Sequence, residues 1–194
     1  MSDILKIGLK LFVITVIAAL FMGVTHLATQ GPIEQQRINT ANLARQAALP
    51  QAEDFSEVGV IAQAAENEVA NIVEINAGMV GNDIIGYTFK VVTRGYGGQM
   101  DITVGINTDN QIEGIQIGEH EETPGLGAKI VEESFTDQYH GKGVDNSITV
   151  TKNSPGDQEV QAITGATVTS DAVTNGVNTA ARYYREILQD GGGQ

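Results

Sequence analysis

The chain of 194 residues carries 24 acidic and 11 basic side chains, a formal net charge of −13, and 41% of its residues are apolar. This length fits one domain with a short accessory segment, and the acidic balance argues against nucleic-acid binding, which depends on cations that neutralise phosphates. The sequence contains no cysteine, which excludes disulfides, thiolate catalysis and cysteine-ligated iron–sulfur clusters. With only three histidines in the sequence, no metal site is predicted.

The N-terminal part contains one apolar segment that is long enough to cross a membrane. Residues 11–28 read LFVITVIAALFMGVTHLA, with His26 as the only ionisable side chain, and such a helix spans ~27 Å, close to the thickness of a bilayer hydrocarbon core. Lys6 and Lys10 precede the segment and Glu34 follows it, so the positive-inside rule predicts a cytoplasmic N-terminus and an extracytoplasmic remainder. A cleaved secretory signal is the alternative, which the length of the apolar segment disfavours.

A polar segment follows the predicted membrane anchor. Pro32 suits the first turn of a helix and Pro50 suits the end of one, so residues 33–49 are predicted to form a solvated helix. Residues 51–68 are acidic and rich in alanine, and their pattern leaves helix and loop open. The predicted organisation is a cytoplasmic end with its anchor, a juxtamembrane stalk, a folded domain and a flexible tail, at residues 1–30, 31–70, 71–190 and 191–194.

The remainder of the chain predicts an α+β domain. Alternation of apolar and polar residues is typical of half-buried strands, and the predicted strands lie at 72–76, 84–94, 100–107, 112–117 and 147–151. Residues 107–110 read NTDN, which is turn chemistry, so the third and fourth of these strands are predicted to pair as a hairpin. Residues 126–135 are predicted to be helical.

The clearest predicted element is a C-terminal amphipathic helix. Apolar residues recur at steps of four and three, which places them on one face of a helix; they are Val173, Val177, Ala180, Tyr184 and Ile187. Ser170 or Asp171 is predicted to cap this helix. Gly176 lies within it and marks a predicted close approach of another element, since glycine is costly inside a helix.

Three stretches rich in glycine or hydroxyl residues lie between these elements: GYGG at 95–98, HEETPGLG at 120–127 and ITGATVTS at 163–170. The third runs into the N-terminus of the last helix, where free N–H groups and the helix dipole favour a phosphate. Gly165 and Ala166 allow a ligand to approach the backbone. Additional hydroxyl donors come from Thr164, Thr167, Thr169 and Ser170. Taken singly, a helix cap and a tight turn are the ordinary interpretations of these stretches.

In this order, behind one N-terminal apolar segment, the three stretches resemble the covalent FMN-binding family to which the G subunit of Rnf electron transport complexes belongs. A related protein is the C subunit of the sodium-translocating NADH:quinone reductase. The resemblance implies an extracytoplasmic FMN-binding domain, with an antiparallel sheet and flanking helices, behind one transmembrane helix. It also implies that a flavin transferase attaches FMN by a phosphoester bond to Thr167. Members commonly carry an acidic residue six positions before this threonine, where the present chain has Gln161.

The resemblance further implies which residues surround the flavin. Residues 122–127 would lie along the ring, with Thr123 offering donors, Leu126 packing on one face, and the two glycines allowing close approach of the main chain. The implied cofactor-binding residues are Glu122, Thr123, Gly125, Leu126, Gly127, Lys152, Thr164, Gly165, Ala166, Thr167, Thr169 and Ser170.

Three further side chains have two interpretations each. Lys152 would meet the pyrimidine side of the ring by resemblance, or be a solvated lysine at a strand end. His120 is a candidate proton donor, although a local hydrogen bond is favoured. For Tyr96, a packing or turn role is favoured over stacking on the ring.

By resemblance, the chain is an electron-relay component of an ion-translocating, ferredoxin-dependent oxidoreductase complex that moves Na⁺ or H⁺. It would have no catalytic residue of its own. Its implied partners are the other membrane and peripheral subunits, the flavin transferase and the lipid bilayer of the cytoplasmic membrane. Two alternatives stay open: an anchored assembly or binding subunit without cofactor, and a stand-alone extracytoplasmic flavin reductase.

Overall fold

The first element of the computed structural model, which describes residues 3–58 and 70–189, is one long helix. Helix α1 spans Asp3–Ala48 and contains Pro32 in its interior, whereas the sequence predicted that this proline begins a second helix. Proline removes one backbone hydrogen bond from a helix interior, and the flanking turns of α1 continue on both sides of it. The apolar segment and the polar segment therefore form one element.

Two compact units make up the chain, Met1–Asn42 and Leu43–Gln194. The helix over Leu5–Ala48 contains an 18-residue window with a mean hydropathy of 2.4, of which nothing is buried. Its large apolar side chains, such as Phe12, Leu20 and Phe21, are exposed. By length and composition this helix is a candidate membrane span, and it fits the predicted anchor.

The second unit is built on a five-stranded sheet in which every neighbouring pair is antiparallel, in the order β1 to β5. The strands are β1 (Asp54–Glu57), β2 (Ala70–Val80), β3 (Asp83–Arg94), β4 (Gln99–Asn107) and β5 (Ile112–His120). The predicted antiparallel sheet is thus confirmed, including the hairpin of β4 and β5. Strand β1 lies in the segment 51–68, for which helix and loop were both open, and residues 59–68 of that segment lie outside the described residues.

Two later helices follow the sheet in the chain, the short α2 (Glu133–Thr136) and the longer α3 (Thr167–Tyr183), and α3 packs against one face of the sheet. The side chains at this contact are fully or almost fully buried; they include Phe89, Val91, Ile102, Val104, Val173, Val177 and Ala180. A Cβ on Gly176 would lie 2.9 Å from Ile102 Cδ1, which confirms the predicted close approach. A π-helical turn, Tyr184–Gln189, follows α3.

Short elements connect the sheet to α3. The predicted helix at 126–135 is present as a 3₁₀ turn, Gly127–Val131, followed by α2 and a second 3₁₀ turn, Asp137–Tyr139. Strands β6 (Thr149–Thr151) and β7 (Glu159–Gln161) pair in parallel as a separate ribbon. The sequence predicted β6, as residues 147–151, but not β7.

Four glycines, one from each of β2 to β5, leave a patch of the other face of the sheet without side chains, and we call this patch the bare glycine face. Gly78 pairs with Gly86, and Gly105 pairs with Gly114. A Cβ on Gly105 would overlap the carbonyl oxygen of Ala48, and one on Gly114 would lie 3.3 Å from the same oxygen. The last turn of α1 therefore rests directly on the backbone of the sheet, which side chains at these positions would prevent.

An ion pair holds this turn in place. Arg45 of α1 binds the carboxylate of Glu74 on β2, and the amide of Asn76 donates to the same carboxylate oxygen at 2.8 Å. Burial by itself raises the pKa of Glu74, but the hydrogen bonds from Asn76 and Arg45 and the charges of Arg45 and Lys90 outweigh it and lower the pKa below its usual value. Glu74 is therefore ionised at neutral pH.

The bare glycine face leads to a prediction about stability. We expect Gly105→Ala to lower the free energy of unfolding by about 1–3 kcal/mol, because the added methyl group displaces the end of α1. Gly143→Ala is the matched control, since its Cβ would meet only Gln158 Nε2 at 3.6 Å, and it should change stability by less than ~0.5 kcal/mol. Urea unfolding of the full chain in detergent measures both, and equal stabilities would contradict the docking of α1 on this face.

Candidate functional site

A cavity of about 460 Å³ lies where the three glycine- and hydroxyl-rich stretches meet. This volume is within the range of small-molecule sites, ~300–1,000 Å³. The lining residues are Tyr96 from the first stretch, Glu122, Thr123, Leu126 and Gly127 from the second, and Gly165, Ala166, Thr167, Val168 and Thr169 from the third. Folding therefore brings together segments that precede β4, follow β5 and begin α3.

Eight of the twelve predicted site residues line this cavity, and four do not: Gly125, Lys152, Thr164 and Ser170. Gly125 has a φ of +77°, as a turn that needs glycine would have. Lys152 is exposed directly after β6, in keeping with a solvated lysine at a strand end, and Thr164 is also exposed.

Ser170 has a structural role instead. Its hydroxyl accepts the Ile163 N–H at 3.1 Å and donates to the Ala166 carbonyl oxygen at 3.0 Å. Helix α3 begins at Thr167, with Ala166 at the cap position and no side-chain cap, so the predicted cap at Ser170 or Asp171 is wrong. The hydrogen bonds of Ser170 close the turn that precedes the helix, and Gly165 takes part in that turn with a φ of +82°.

The first turn of α3 consequently forms one wall of the cavity. Thr167 is its first residue and is half-buried, while the hydroxyl of Thr169 is buried. The first backbone N–H groups of a helix have no partner within the helix, so this wall suits an anion.

Two lining residues were not among the predicted site residues. Tyr96, for which a packing or turn role was favoured, is 76% exposed at the edge of the cavity, and Val168 is 56% exposed. An aromatic residue flanked by glycines was the available signal for Tyr96. For Val168 the signal would have been its position in the first turn of α3, which the wrong cap obscured.

His120 takes part in a local hydrogen bond, as the sequence favoured. Its Nδ1 accepts the backbone N–H of Glu122 at 3.3 Å. The ring does not line the cavity, so its contact supports the loop after β5.

The carboxylate of Glu122 connects the three stretches. This side chain is 6% exposed; its Oε1 accepts the Gly97 N–H at 3.3 Å, and its Oε2 accepts the Thr169 hydroxyl at 3.0 Å. A Cβ on Gly95 or on Gly127 would overlap the carboxylate. Glycines in two of the stretches thus make room for one buried carboxylate that the backbone and a hydroxyl of its neighbours hold.

This arrangement predicts a specific loss of stability. We expect Glu122→Ala to lower the free energy of unfolding by about 1–3 kcal/mol, because the Gly97 N–H and the Thr169 hydroxyl lose their partner. Glu121→Ala is the control, since Glu121 is the adjacent residue and is exposed, and it should cost less than ~0.5 kcal/mol. Thermal and urea unfolding of the two variants measures the difference, and the prediction fails if both behave alike.

Comparisons with known proteins identify the relatives of this chain. Residues 95–182, which include all ten lining residues, match the family of FMN-binding domains. The chain is 37% identical over 193 residues to the G subunit of the Na⁺-translocating ferredoxin:NAD⁺ oxidoreductase complex of Acetobacterium woodii, and the match covers 95% of this chain and 93% of that one. It is 30% identical over 184 residues to the G subunit of the ion-translocating oxidoreductase complex of Methanosarcina acetivorans, covering 94% and 95%.

Two solved structures share the fold. The C subunit of the Na⁺-translocating NADH-quinone reductase from Parabacteroides distasonis matches with a TM-score of 0.56 and 22% identity, over 79% of this chain and 94% of that one. NqrC of Shewanella oneidensis matches with a TM-score of 0.53 and 18% identity, over 71% and 67%. The resemblance expected from the three stretches is confirmed: with a relative 37% identical over nearly its whole length, this chain belongs to the family of G subunits of Rnf-type ion-translocating oxidoreductase complexes.

Proposed function

We propose that this chain is the membrane-anchored, FMN-carrying subunit that relays electrons within an ion-translocating, ferredoxin-dependent oxidoreductase complex. The observation that carries the proposal is the coincidence of two findings. Residues 95–182, which match FMN-binding domains, include all the residues that line the cavity. The relatives that match over nearly the whole chain are named as subunits of such complexes. The exposed apolar helix α1 supports the anchor.

The residues of the cavity fit a flavin mononucleotide. Tyr96, Leu126 and Val168 expose large apolar surfaces to it, and burial against a planar aromatic ring would remove these surfaces from water. A Cβ on Gly165 would lie 3.4 Å from Leu126 Cδ2, so the glycine keeps the space beside Leu126 open. The N-terminus of α3 suits the phosphate at the other end of the molecule.

When bound, FMN supplies the capacity to accept and release electrons, and the protein sets the environment of the ring. The apolar side chains around the cavity would exclude water from the ring. Thr123, at the start of the loop after Glu122, would offer donors at its edge.

We further propose that the FMN is attached through its phosphate to Thr167. Four hydroxyl residues lie in residues 163–170, and three of them are less suited to carry the phosphate. Thr164 does not line the cavity, the Thr169 hydroxyl donates to Glu122, and the Ser170 hydroxyl donates to the Ala166 carbonyl oxygen. Among the hydrogen bonds of the described residues, none engages the Thr167 hydroxyl. Attachment there would fix the phosphate beside the free N–H groups of the first turn of α3.

The attachment would require a flavin transferase that recognises the segment before α3. Gln161, the residue six positions before Thr167, lies at the end of β7 with its side chain exposed. Its backbone is held by Gln138, whose Oε1 accepts the Gln161 N–H at 2.7 Å. An exposed amide at this position is available to an enzyme, although it lacks the negative charge common in the family.

The attachment site can be tested directly. We expect Thr167→Ala to abolish the mass increment of FMN when the chain is produced together with a flavin transferase, because no oxygen remains to accept the phosphoryl group. Thr169→Ala should retain the increment, since the Thr169 hydroxyl faces Glu122. Intact-mass spectrometry and flavin fluorescence in a denaturing gel measure both. A flavin adduct on Thr167→Ala would refute this site, and a wild-type chain without flavin would favour an assembly subunit without cofactor.

The membrane side is a separate proposal. Lys6 and Lys10 lie before the apolar part of α1, so we propose that the N-terminus is cytoplasmic and that the cavity lies outside the cytoplasmic membrane.

Reporter fusions test this orientation. A C-terminal alkaline phosphatase fusion should be active and a C-terminal green fluorescent protein fusion dark, because the first needs export and the second folds in the cytoplasm. Replacing Lys6 and Lys10 by Gln should weaken this preference, as the charge bias then disappears. The reverse pattern of activities in the wild type would overturn the orientation.

The partners follow from the same proposal. A chain that relays electrons needs a donor and an acceptor in neighbouring subunits, and its net charge of −13 favours docking on basic surfaces. Flavin reduction should therefore be fast in the assembled complex and slow in the isolated chain. Substantial turnover by the isolated chain with soluble electron donors and acceptors would instead favour a stand-alone flavin reductase.

A further inference from the structure

We propose that Glu122 places a buried negative charge in the wall of the cavity, and that this charge makes the bound flavin harder to reduce. The inference rests on the proposed function, because it concerns the flavin that the cavity would hold. It assigns to Glu122 a role that sequence motifs do not show, since its carboxylate acts on the flavin through charge rather than by direct contact.

The carboxylate of Glu122 is buried in the wall of the cavity. Glu122 lines the cavity and is 6% exposed. The absence of side chains at Gly95 and Gly127 leaves the space that its carboxylate fills. Water therefore screens this group far less than it screens a surface carboxylate.

The hydrogen bonds of Glu122 suit a charged carboxylate. Both carboxylate oxygens accept: Oε1 from the Gly97 N–H and Oε2 from the Thr169 hydroxyl. An ionised carboxylate is an acceptor only, whereas a protonated one needs an acceptor for its own proton. The Gly97 N–H can only donate, and the Thr169 hydroxyl can donate to an ionised carboxylate, so the two partners found among the described residues satisfy both oxygens of the charged form.

Among the described residues, no cationic side chain forms an ion pair with Glu122. The ion pairs of the described residues include Arg45 with Glu74 and Lys90 with Asp101, and neither involves Glu122. Its hydrogen-bond partners, the Gly97 N–H and the Thr169 hydroxyl, are both neutral. A neutral donor stabilises a carboxylate locally without cancelling its field at a distance, so the negative charge acts on the cavity.

Thr169 couples this charge to the proposed attachment site. It lies in the first turn of α3, two residues after Thr167, and its hydroxyl holds Oε2 at 3.0 Å. The carboxylate is therefore fixed relative to the wall where the flavin would be attached. Electron uptake adds negative charge to the ring, so a fixed negative charge nearby opposes it and lowers the midpoint potential.

The preceding residue in the chain provides a matched control. Glu121 carries the same charge but is exposed, and it borders a different cleft, which residues 97 and 98 also line. Solvent screens its field at the flavin cavity. Glu121→Gln and Glu122→Gln thus remove identical charges at adjacent positions with different screening.

The test uses the full, flavin-carrying chain in detergent, with the midpoint potential read by spectroelectrochemistry. We expect Glu122→Gln to shift the potential to a more positive value, by at least about twice the shift that Glu121→Gln produces. The new glutamine would keep the geometry, because its amide oxygen accepts from the Gly97 N–H and its amide group donates to the Thr169 oxygen. Flavin content from intact mass and the unfolding temperature establish that the variants are folded and loaded.

The outcomes separate the inference from the proposed function. A wild-type chain without flavin contradicts both. A loaded Glu122→Gln chain whose potential moves no more than that of Glu121→Gln, or moves to a more negative value, overturns the inference alone. If Glu122→Gln does not fold, Glu122→Asp keeps the charge, and a positive shift of its potential equally overturns the inference.

Discussion

The cavity depends on one carboxylate that three distant segments share. The loop at 95–98 joins β3 to β4, Glu122 follows β5, and Thr169 lies in the first turn of α3. Each segment ends or begins a regular element, and the sheet and α3 bring these ends to one side of the domain. Without this shared hydrogen-bond partner, each loop would be solvated separately. A buried carboxylate is costly unless its oxygens are satisfied, so its presence between these segments points to a site rather than to a simple turn.

The periodicity of the sequence predicted most of the sheet and the last helix, and the exceptions have identifiable causes. Strand β2 runs on through Ala77 and Gly78, beyond the predicted residues 72–76. These small residues look unlike a strand, and at Gly78 a Cβ would overlap the Leu49 side chain. Pro32 predicted the start of a helix. A proline interrupts a helix only if the free energy lost with one hydrogen bond exceeds the stability of the helical turns on either side. These are cases in which tertiary contacts or helix length outweigh a local preference.

The site was predictable in its segments and less so in its individual side chains. The three glycine- and hydroxyl-rich stretches do meet at one cavity, since a glycine-rich sequence reports where backbones approach closely. A sequence does not report which way a side chain turns. Ser170 closes its own turn, and Lys152 lies outside the cavity, while Tyr96 reaches its edge. The hydrogen bonds to both carboxylate oxygens of Glu122 could not be predicted from the sequence, because they depend on which residues the fold brings next to it.

The ion pair beneath the end of α1 has a consequence for how the domain responds to acid. Because the pKa of Glu74 is lowered in the folded state, the stability it contributes is complete above the unfolded value of ~4.3 and disappears only as the pH falls through the folded value. The ion pair between Arg45 and Glu74 therefore does not change with pH near neutrality. Acid well below neutrality would have to protonate Glu74 before the last turn of α1 lost this contact with the sheet.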